Sequence, residues 1–129
     1  MLKLCGAKLH LVEAVPYKNP GNYIRYSEAL SKKIKNPNGV LWANQFDNLS
    51  NKKSHYLTTG PEIWSQLNGK IDAFICSIGT GGTLAGMSEY LKEKNKKIII
   101  GLADPFGSAM FNFFKNGKLK SEGSSITEG

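Results

Sequence analysis

Residues 79–83, Gly-Thr-Gly-Gly-Thr, are the part of this 129-residue chain best suited to chemistry. Three glycines permit positive φ angles and let an anion approach the backbone closely. A largely apolar run from Ile71 to Ile78 precedes this pentad, and a helical pattern follows it. The pentad's backbone N–H groups would therefore converge at the positive end of a helix dipole. The hydroxyls of Thr80 and Thr83 add donors, and Thr83 is also a candidate helix cap. This arrangement predicts a phosphate-binding site.

Two common phosphate-binding motifs are excluded. A dinucleotide fingerprint needs glycine at position 84, where the chain has Leu84. A nucleoside-triphosphate loop needs Gly-Lys-Ser/Thr, and no lysine lies between Lys70 and Lys92. A loop with neutral donors alone suits the phosphate monoester of a cofactor. Taken by itself, the pentad is equally consistent with a turn that merely connects a strand to a helix.

The pentad and its surroundings resemble the pyridoxal-phosphate loop of the cysteine synthase family, which belongs to the second fold type of pyridoxal-phosphate enzymes. The other stretches that carry this resemblance are residues 4–9 (LCGAKL), 44–48 (NQFDN), 58–64 (TTGPEIW), 101–105 (GLADP) and 121–129 (SEGSSITEG). The resemblance thus covers essentially the whole chain in order. Thr-Thr-Gly-Pro-Glu-Ile-Trp followed by Gly-Thr-Gly-Gly-Thr is its most specific part.

The resemblance implies a cofactor, a reaction and a fold. The cofactor would be pyridoxal 5′-phosphate, held at its phosphate by Gly79, Thr80, Gly81, Gly82 and Thr83. Gln45 would bind the α-carboxylate of the substrate. The reaction would be a β-replacement in which sulfide takes the place of acetate on O-acetylserine, giving cysteine, with the cofactor as electron sink. The expected fold is an incomplete three-layer α/β sandwich with a mainly parallel sheet, like the tryptophan synthase β-subunit. Residues 1–41 would belong to a small mobile domain and residues 42–129 to the cofactor domain.

Two motifs that the resemblance calls for do not occur in the sequence. One surrounds the lysine that covalently holds the cofactor, and the other is the Thr/Ser-Gly-Asn-Thr loop that grips the substrate carboxylate. The nearest imitation, Ser31-Lys32-Lys33, lies in a charged helical stretch. We therefore expect the middle portion of a cysteine synthase, with no catalytic residue of its own and no activity alone. The alternatives are a non-catalytic fragment or remnant that binds phosphate or cofactor, and a piece of cystathionine β-synthase, which shares the pentad.

The net charge of +7 raises the question of nucleic-acid binding. Sixteen of the seventeen basic residues are lysine, and Arg25 is the sole arginine. Sequence-specific readers rely on the bidentate fork of arginine, and the lysines here are scattered without interleaved aromatic residues. A solvated basic surface is the better interpretation. The predicted partners are small-molecule substrates and a complementary chain or second copy, with no nucleic acid.

Cysteine, histidine and hydropathy patterns exclude further classes. Cys5 and Cys76 are the two cysteines, and together with His10 and His55 they are too dispersed for a metal site. No apolar stretch approaches the roughly 20 residues of a membrane span. The amino end lacks the apolar core of a secretory signal. These patterns predict a cytoplasmic protein without metal or membrane.

Strand and helix patterns alternate along the chain, as expected of a parallel α/β fold. Strands are predicted at residues 7–15, 40–42, 71–78 and 98–102, and helices at 23–35, 55–67, from the pentad to about 94, and 108–115. The run at 98–102 is uninterruptedly apolar, which is typical of a strand buried on both faces. Residues from 116 onward are polar and predicted to be irregular.

Overall fold

The computed structural model describes residues 1–121. The chain divides into two compact units, residues 1–44 and a second unit that begins at Gln45. In chain order the elements are α1 (Tyr23–Lys33), α2 (Ser50–Ser54), a π-helical turn (His55–Thr59), α3 (Gly60–Gln66), β1 (Ala73–Cys76), α4 (Gly82–Lys94), β2 (Ile99–Leu102) and α5 (Ala109–Asn116). None of the helices among the described residues is long and apolar enough to cross a membrane.

The first unit contains α1, which confirms the helix predicted at residues 23–35. Asn22 caps its start, because its side chain accepts from the N–H of Ile24 at 3.0 Å and donates to the carbonyl of Val15 at 2.9 Å. At the other end, Ile34 has an extended conformation and stops the helix. The Trp42 indole donates to the hydroxyl of Ser27 at 3.2 Å, which ties the chain after the helix back onto it.

The strands predicted at residues 7–15 and 40–42 are wrong. Both segments lack strand structure, and Leu11 and Leu41 are 92% and 90% exposed. A strand exists only where a neighbour pairs with its backbone N–H and C=O groups, and the described residues of this unit offer no such neighbour. Alternating hydrophobic residues are therefore not sufficient to make a strand here.

The second unit is built around two parallel strands joined by α4. Ala73 pairs with Ile99 and Cys76 with Leu102, at the two ends of the β1–β2 ladder. The predicted α/β class with a parallel sheet is confirmed. The run at residues 98–102 is not buried on both faces, however. Ile75 and Ile99 are 65% and 66% exposed, so one face of the sheet is uncovered.

The core of the second unit lies between the sheet and the helices. Met87, Leu91 and Ile98 are completely buried, and Ile71 joins them. Residues 87 and 91 are one helical turn apart, so α4 presents one apolar stripe to the core. The core thereby fixes the orientation of α4, the helix that begins inside the pentad.

Three helical elements run without a break from Ser50 to Gln66, whereas the predicted helix covers only residues 55–67. The extra turn, α2, packs against α4. Gly86 makes this contact close, because a Cβ at position 86 would collide with the backbone carbonyl oxygen of Lys52. The predicted helix at 108–115 is confirmed as α5, whose N-cap Ser108 accepts from the N–H of Met110 at 3.5 Å.

Candidate functional site

The pentad forms the turn between β1 and α4, as the sequence predicts. β1 ends at Cys76 and α4 begins at Gly82, so the turn is short. Gly81 occupies the N-cap position with φ = +83°, in the left-handed region that favours glycine. The carbonyl of Gly81 accepts the first helical hydrogen bond, from the N–H of Ala85 at 2.9 Å. A glycine is needed at position 81 because the chain must reverse there before the helix starts.

The Thr80 side chain accepts a hydrogen bond from a residue of α2. Its Oγ1 accepts from Asn51 Nδ2 at 2.7 Å and from the N–H of Gly82 at 3.4 Å. The hydroxyl has two lone pairs and one proton. Both lone pairs face protein donors, so the proton remains available for an acceptor outside the chain.

Thr83 does not cap α4, contrary to the prediction. Thr83 lies inside the first turn of the helix, and the N-cap residue is Gly81, which has no side chain. Its Oγ1 instead lies 3.1 Å from His55 Nε2, on the π-helical turn. His55 Nδ1 in turn lies 3.0 Å from Thr59 Oγ1. The Thr83 hydroxyl is therefore part of a chain of three side chains.

Gln45 and part of the pentad share one open cleft of about 480 Å³ in the second unit. Thr80, Gly81 and Gly82 line this cleft together with Gln45, whereas Gly79 and Thr83 are not among its lining residues. Apolar side chains complete the wall: Phe46, Leu49, Ile78, Leu84, Ile100 and Phe114. The cleft thus combines polar donors at the pentad with an apolar wall, as ligand sites commonly do.

The backbone of the pentad fits a phosphate group. Among the described residues, no protein acceptor receives the N–H of Gly79, Thr80 or Gly81. The first N–H groups of α4 likewise have no partner within the helix. A Cβ added at Gly79 or Gly81 would meet nothing within 4 Å, so space for a ligand exists there. Unpaired N–H groups beside open space at a helix N-terminus form an anion-binding arrangement.

Gly82 has a different role from its neighbours. A Cβ at this position would collide with the Asn51 carboxamide, so the space over Gly82 belongs to the protein itself. The glycine is required for the contact between α2 and α4. Its backbone N–H lies 3.4 Å from Thr80 Oγ1, to which it donates.

The donors of the pentad are electrically neutral. Lys52 also lines the cleft, but its Nζ is in an ion pair with Glu89 Oε2 at 2.5 Å. An anion at the pentad would consequently depend on several converging hydrogen bonds to one charged group. Near the pentad, at the end of β1, partial burial raises the pKa of the Cys76 thiol above its usual value.

Sequence reasoning missed Asn51 and His55. They lie four residues apart and hence on one face of the helical segment, where each contacts a different threonine of the pentad. Their spacing to those threonines is 29 and 28 residues, which no local pattern reveals. A usable signal is that Asn51 and His55 share the i, i+4 spacing of a helix, although the predicted helix starts too late to include Asn51.

Known proteins resemble this chain over its whole length. The family model described as pyridoxal-phosphate dependent enzyme matches residues 1–128. Cysteine synthase 1 of Neurospora crassa is 46% identical over 132 residues, covering 100% of this chain and 34% of its own length. Cysteine synthase 1 of Emericella nidulans is also 46% identical, covering 100% of this chain and 35% of its own length.

Solved structures agree with the sequence similarity. The cysteine synthase of Entamoeba histolytica is 36% identical with a TM-score of 0.73, covering 98% of this chain and 35% of that one. A hydrogen sulfide-producing enzyme of Fusobacterium nucleatum is 35% identical with a TM-score of 0.67, covering 81% of this chain and 32% of that one. The chain spans about a third of the length of the relatives it matches. By these matches the chain belongs to the pyridoxal-phosphate-dependent enzyme family, and within it the resemblance to cysteine synthases is confirmed.

Proposed function

We propose that this chain provides the phosphate-binding part of a cysteine synthase, which forms cysteine from O-acetylserine and sulfide. The observation that carries the proposal is that the N–H groups of Gly79, Thr80 and Gly81 have no protein acceptor within residues 1–121, beside a cleft that Gln45 also lines. Bound there, pyridoxal phosphate would supply the electron sink for the β-replacement.

The protein's own contribution is to bind and orient. The backbone N–H groups of the pentad and the hydroxyls of Thr80 and Thr83 hold the phosphate dianion. The Gln45 carboxamide holds the α-carboxylate of the amino-acid substrate, which is supported by its position in the same cleft as the pentad. The apolar wall of the cleft excludes water from the remaining space and so strengthens these hydrogen bonds.

The chain does not catalyse the reaction by itself. Covalent attachment of the cofactor and transfer of the α-proton need a lysine with a free amine. Among the described residues, Lys52 is the lysine that lines the cleft, and Glu89 holds its ammonium group. A separate stretch of polypeptide, in a complementary chain or a longer form of this one, has to supply that lysine.

The domain assignment, partners and location complete the proposal. Residues 1–41 belong to the small mobile domain and residues 42–129 to the cofactor domain, which is supported by the division of the chain between Asn44 and Gln45. The partners are small-molecule substrates together with a complementary chain or a second copy. Two free cysteines suit the reducing cytoplasm.

The proposed phosphate site is tested with 4′-deoxypyridoxine 5′-phosphate, which carries the phosphate and ring of the cofactor. It lacks the aldehyde that would react with surface lysines indiscriminately. The ¹⁵N-labelled chain is titrated with this compound and, as a matched control, with 4′-deoxypyridoxine. We expect the amide signals of Gly79 and Gly81 to shift with the phosphorylated compound alone. Equal shifts with both compounds, or none with either, would contradict the proposal.

Complementation tests the enzymatic part. The chain alone should produce no cysteine from O-acetylserine and sulfide beyond the rate of free pyridoxal phosphate. Co-expression with the rest of a cysteine synthase, that is the lysine-bearing first part together with the part that follows the matched portion, should restore activity. If binding is seen but complementation fails, the chain is a cofactor-binding module without a catalytic role. If cystathionine is produced from serine and homocysteine instead, the complete enzyme is a cystathionine β-synthase.

A further inference from the structure

Two side chains of one helical face reach the two threonines of the pentad. Asn51 lies on α2 and His55 one turn later on the π-helical turn, and both are partly buried. Asn51 contacts Thr80 at 2.7 Å and His55 contacts Thr83 at 3.1 Å. Neither Asn51 nor His55 belongs to the pentad, so they act on any ligand there through the threonine hydroxyls.

At Thr80 the direction of the hydrogen bond is settled by the donor. The Asn51 amide nitrogen can only donate, so Thr80 Oγ1 must accept. The Asn51 carboxamide packs directly against Gly82, in the space that a Cβ would occupy at any other residue, and this packing restrains its orientation. Thr80 is thereby left with a proton to donate and without a competing acceptor among the described residues.

At Thr83 the direction of the hydrogen bond depends on the tautomer of the His55 imidazole. A neutral imidazole carries one donor and one acceptor nitrogen. When Thr59 donates to Nδ1, the proton resides on Nε2 and is donated to Thr83, whose own proton is then free. The opposite arrangement directs the Thr83 proton to His55. A phosphate dianion accepts hydrogen bonds only, so its presence selects the first arrangement.

We propose that Asn51 and His55 are positioning residues, which hold the hydroxyls of Thr80 and Thr83 as hydrogen-bond donors to a phosphate monoester. This inference rests on the proposed function of the pentad. It gives the helical face that carries Asn51 and His55 a part in ligand binding. Local sequence patterns do not reveal this part, because the two residues lie 29 and 28 positions from the threonines that they contact. Loss of either side chain should lower affinity for the phosphate as much as loss of the threonine that it orients.

The experiment measures the affinity of the full chain for 4′-deoxypyridoxine 5′-phosphate by NMR titration. The variants are Asn51→Ala, His55→Phe and His55→Gln, together with Thr80→Val and Thr83→Val. Thr58→Val is the matched control, because Thr58 Oγ1 donates to the Ser54 carbonyl and contacts no pentad residue in the described structure. Thermal unfolding followed by circular dichroism shows whether each variant is folded.

Asn51→Ala and His55→Phe should each weaken binding about tenfold, the effect of one hydrogen bond to a charged group. His55→Gln should restore most of the affinity, since its amide can donate from nearly the position of Nε2. Asn51→Ala should not weaken binding further in a chain that already carries Thr80→Val. Likewise, His55→Phe should not weaken binding further in a chain that already carries Thr83→Val. The control should bind like the unaltered chain.

The possible failures are distinguishable. If the unaltered chain does not bind the phosphorylated compound, the proposed function fails and this inference fails with it. If the unaltered chain binds and the effects of Asn51→Ala and Thr80→Val simply add, Asn51 does not act through Thr80 and the inference alone is overturned. Should His55→Phe fail to fold, Thr59→Val replaces it, because removing the Thr59 proton disturbs the same arrangement while leaving the imidazole in place.

Discussion

Asn51 is packed directly against Gly82, and its carboxamide fills the space in which the side chain of any larger residue at position 82 would lie. One turn further along α4, Gly86 faces the backbone of Lys52 in the same way. Two glycines at i and i+4 therefore form a groove on α4 that receives α2. The groove explains why two glycines stand together in the pentad: one reverses the chain, and the other admits the neighbouring helix.

Replacing Gly86 with alanine should destabilise the second unit by a net amount of up to about 2 kcal/mol, because overpacking usually costs about 1–3 kcal/mol. The new Cβ meets the carbonyl oxygen of Lys52, which cannot rotate away as a side chain would. This cost outweighs the gain of about 1 kcal/mol that alanine brings inside a helix. Urea unfolding measures the difference. Gly79→Ala is the matched control, because nothing lies within 4 Å of its added Cβ. A Gly86→Ala variant as stable as the control would contradict the groove.

Gly81→Ala should destabilise the chain by about 1–2 kcal/mol for a purely backbone reason. The φ angle of +83° is unfavourable for a residue with a Cβ, although the surrounding space is empty. Gly81→Asn should cost less, because asparagine tolerates the left-handed region better than alanine does. Chemical denaturation of the two variants gives the comparison. Equal stabilities would show that the backbone conformation at Gly81 is not the limiting factor.

Local sequence patterns predict the elements whose stability is mainly local. Helix α1 follows from apolar residues at helical spacing. The apolar run at residues 98–102 also predicts β2, but that segment is a strand because β1 pairs with it. In contrast, residues 7–15 alternate like a strand but have no strand to pair with among the described residues, so the pattern alone misleads. α2 escaped prediction because residues 50–54, Ser-Asn-Lys-Lys-Ser, carry no apolar face. α2 is stabilised by its contact with the groove on α4 in place of an apolar face, and the residues of that groove lie roughly thirty positions away in sequence.

The candidate site was predictable to the extent that a motif defines it. The pentad and Gln45 follow from the family resemblance, and the structure brings Gln45 into one cleft with Thr80, Gly81 and Gly82. The orientation of Thr83 was not predictable, since it depends on His55 across a tertiary contact. Residues 122–129 lie outside the described residues. They include most of the stretch at 121–129 that carries part of the resemblance, and the end of the irregular tail predicted from residue 116 onward.

Tyr56 should titrate at a higher pH than an ordinary tyrosine. Its hydroxyl donates to Glu93 Oε2 at 2.7 Å, and this hydrogen bond, with lesser contributions from burial and neighbouring charge, raises the pKa of the phenol. Because the folded pKa is the higher one, the associated stability is fully present below about pH 10 and declines as the pH rises through the folded pKa. Phenolate absorbance measures the titration, and Tyr56→Phe identifies the signal.

Glu93→Gln tests the cause of that shift. Without the carboxylate the pKa of Tyr56 should fall toward its ordinary value. Glu28→Gln is the matched control, because Glu28 is in an ion pair with Lys32 in the first unit. If both variants leave the titration of Tyr56 unchanged, the Glu93 hydrogen bond is not responsible.

Cys76 should react with iodoacetamide more slowly than Cys5 in the folded chain. Burial raises the pKa of the Cys76 thiol, so a smaller fraction is present as the reactive thiolate at a given pH, and the side chain is also less accessible. Cys5 is exposed. Mass spectrometry of the two cysteine peptides over time gives both rates, and unfolding in urea serves as the control because it should make them equal. Equal rates before unfolding would mean that the end of β1 is open to solvent, and the neighbouring pentad would then lack the packed support that orients its donors.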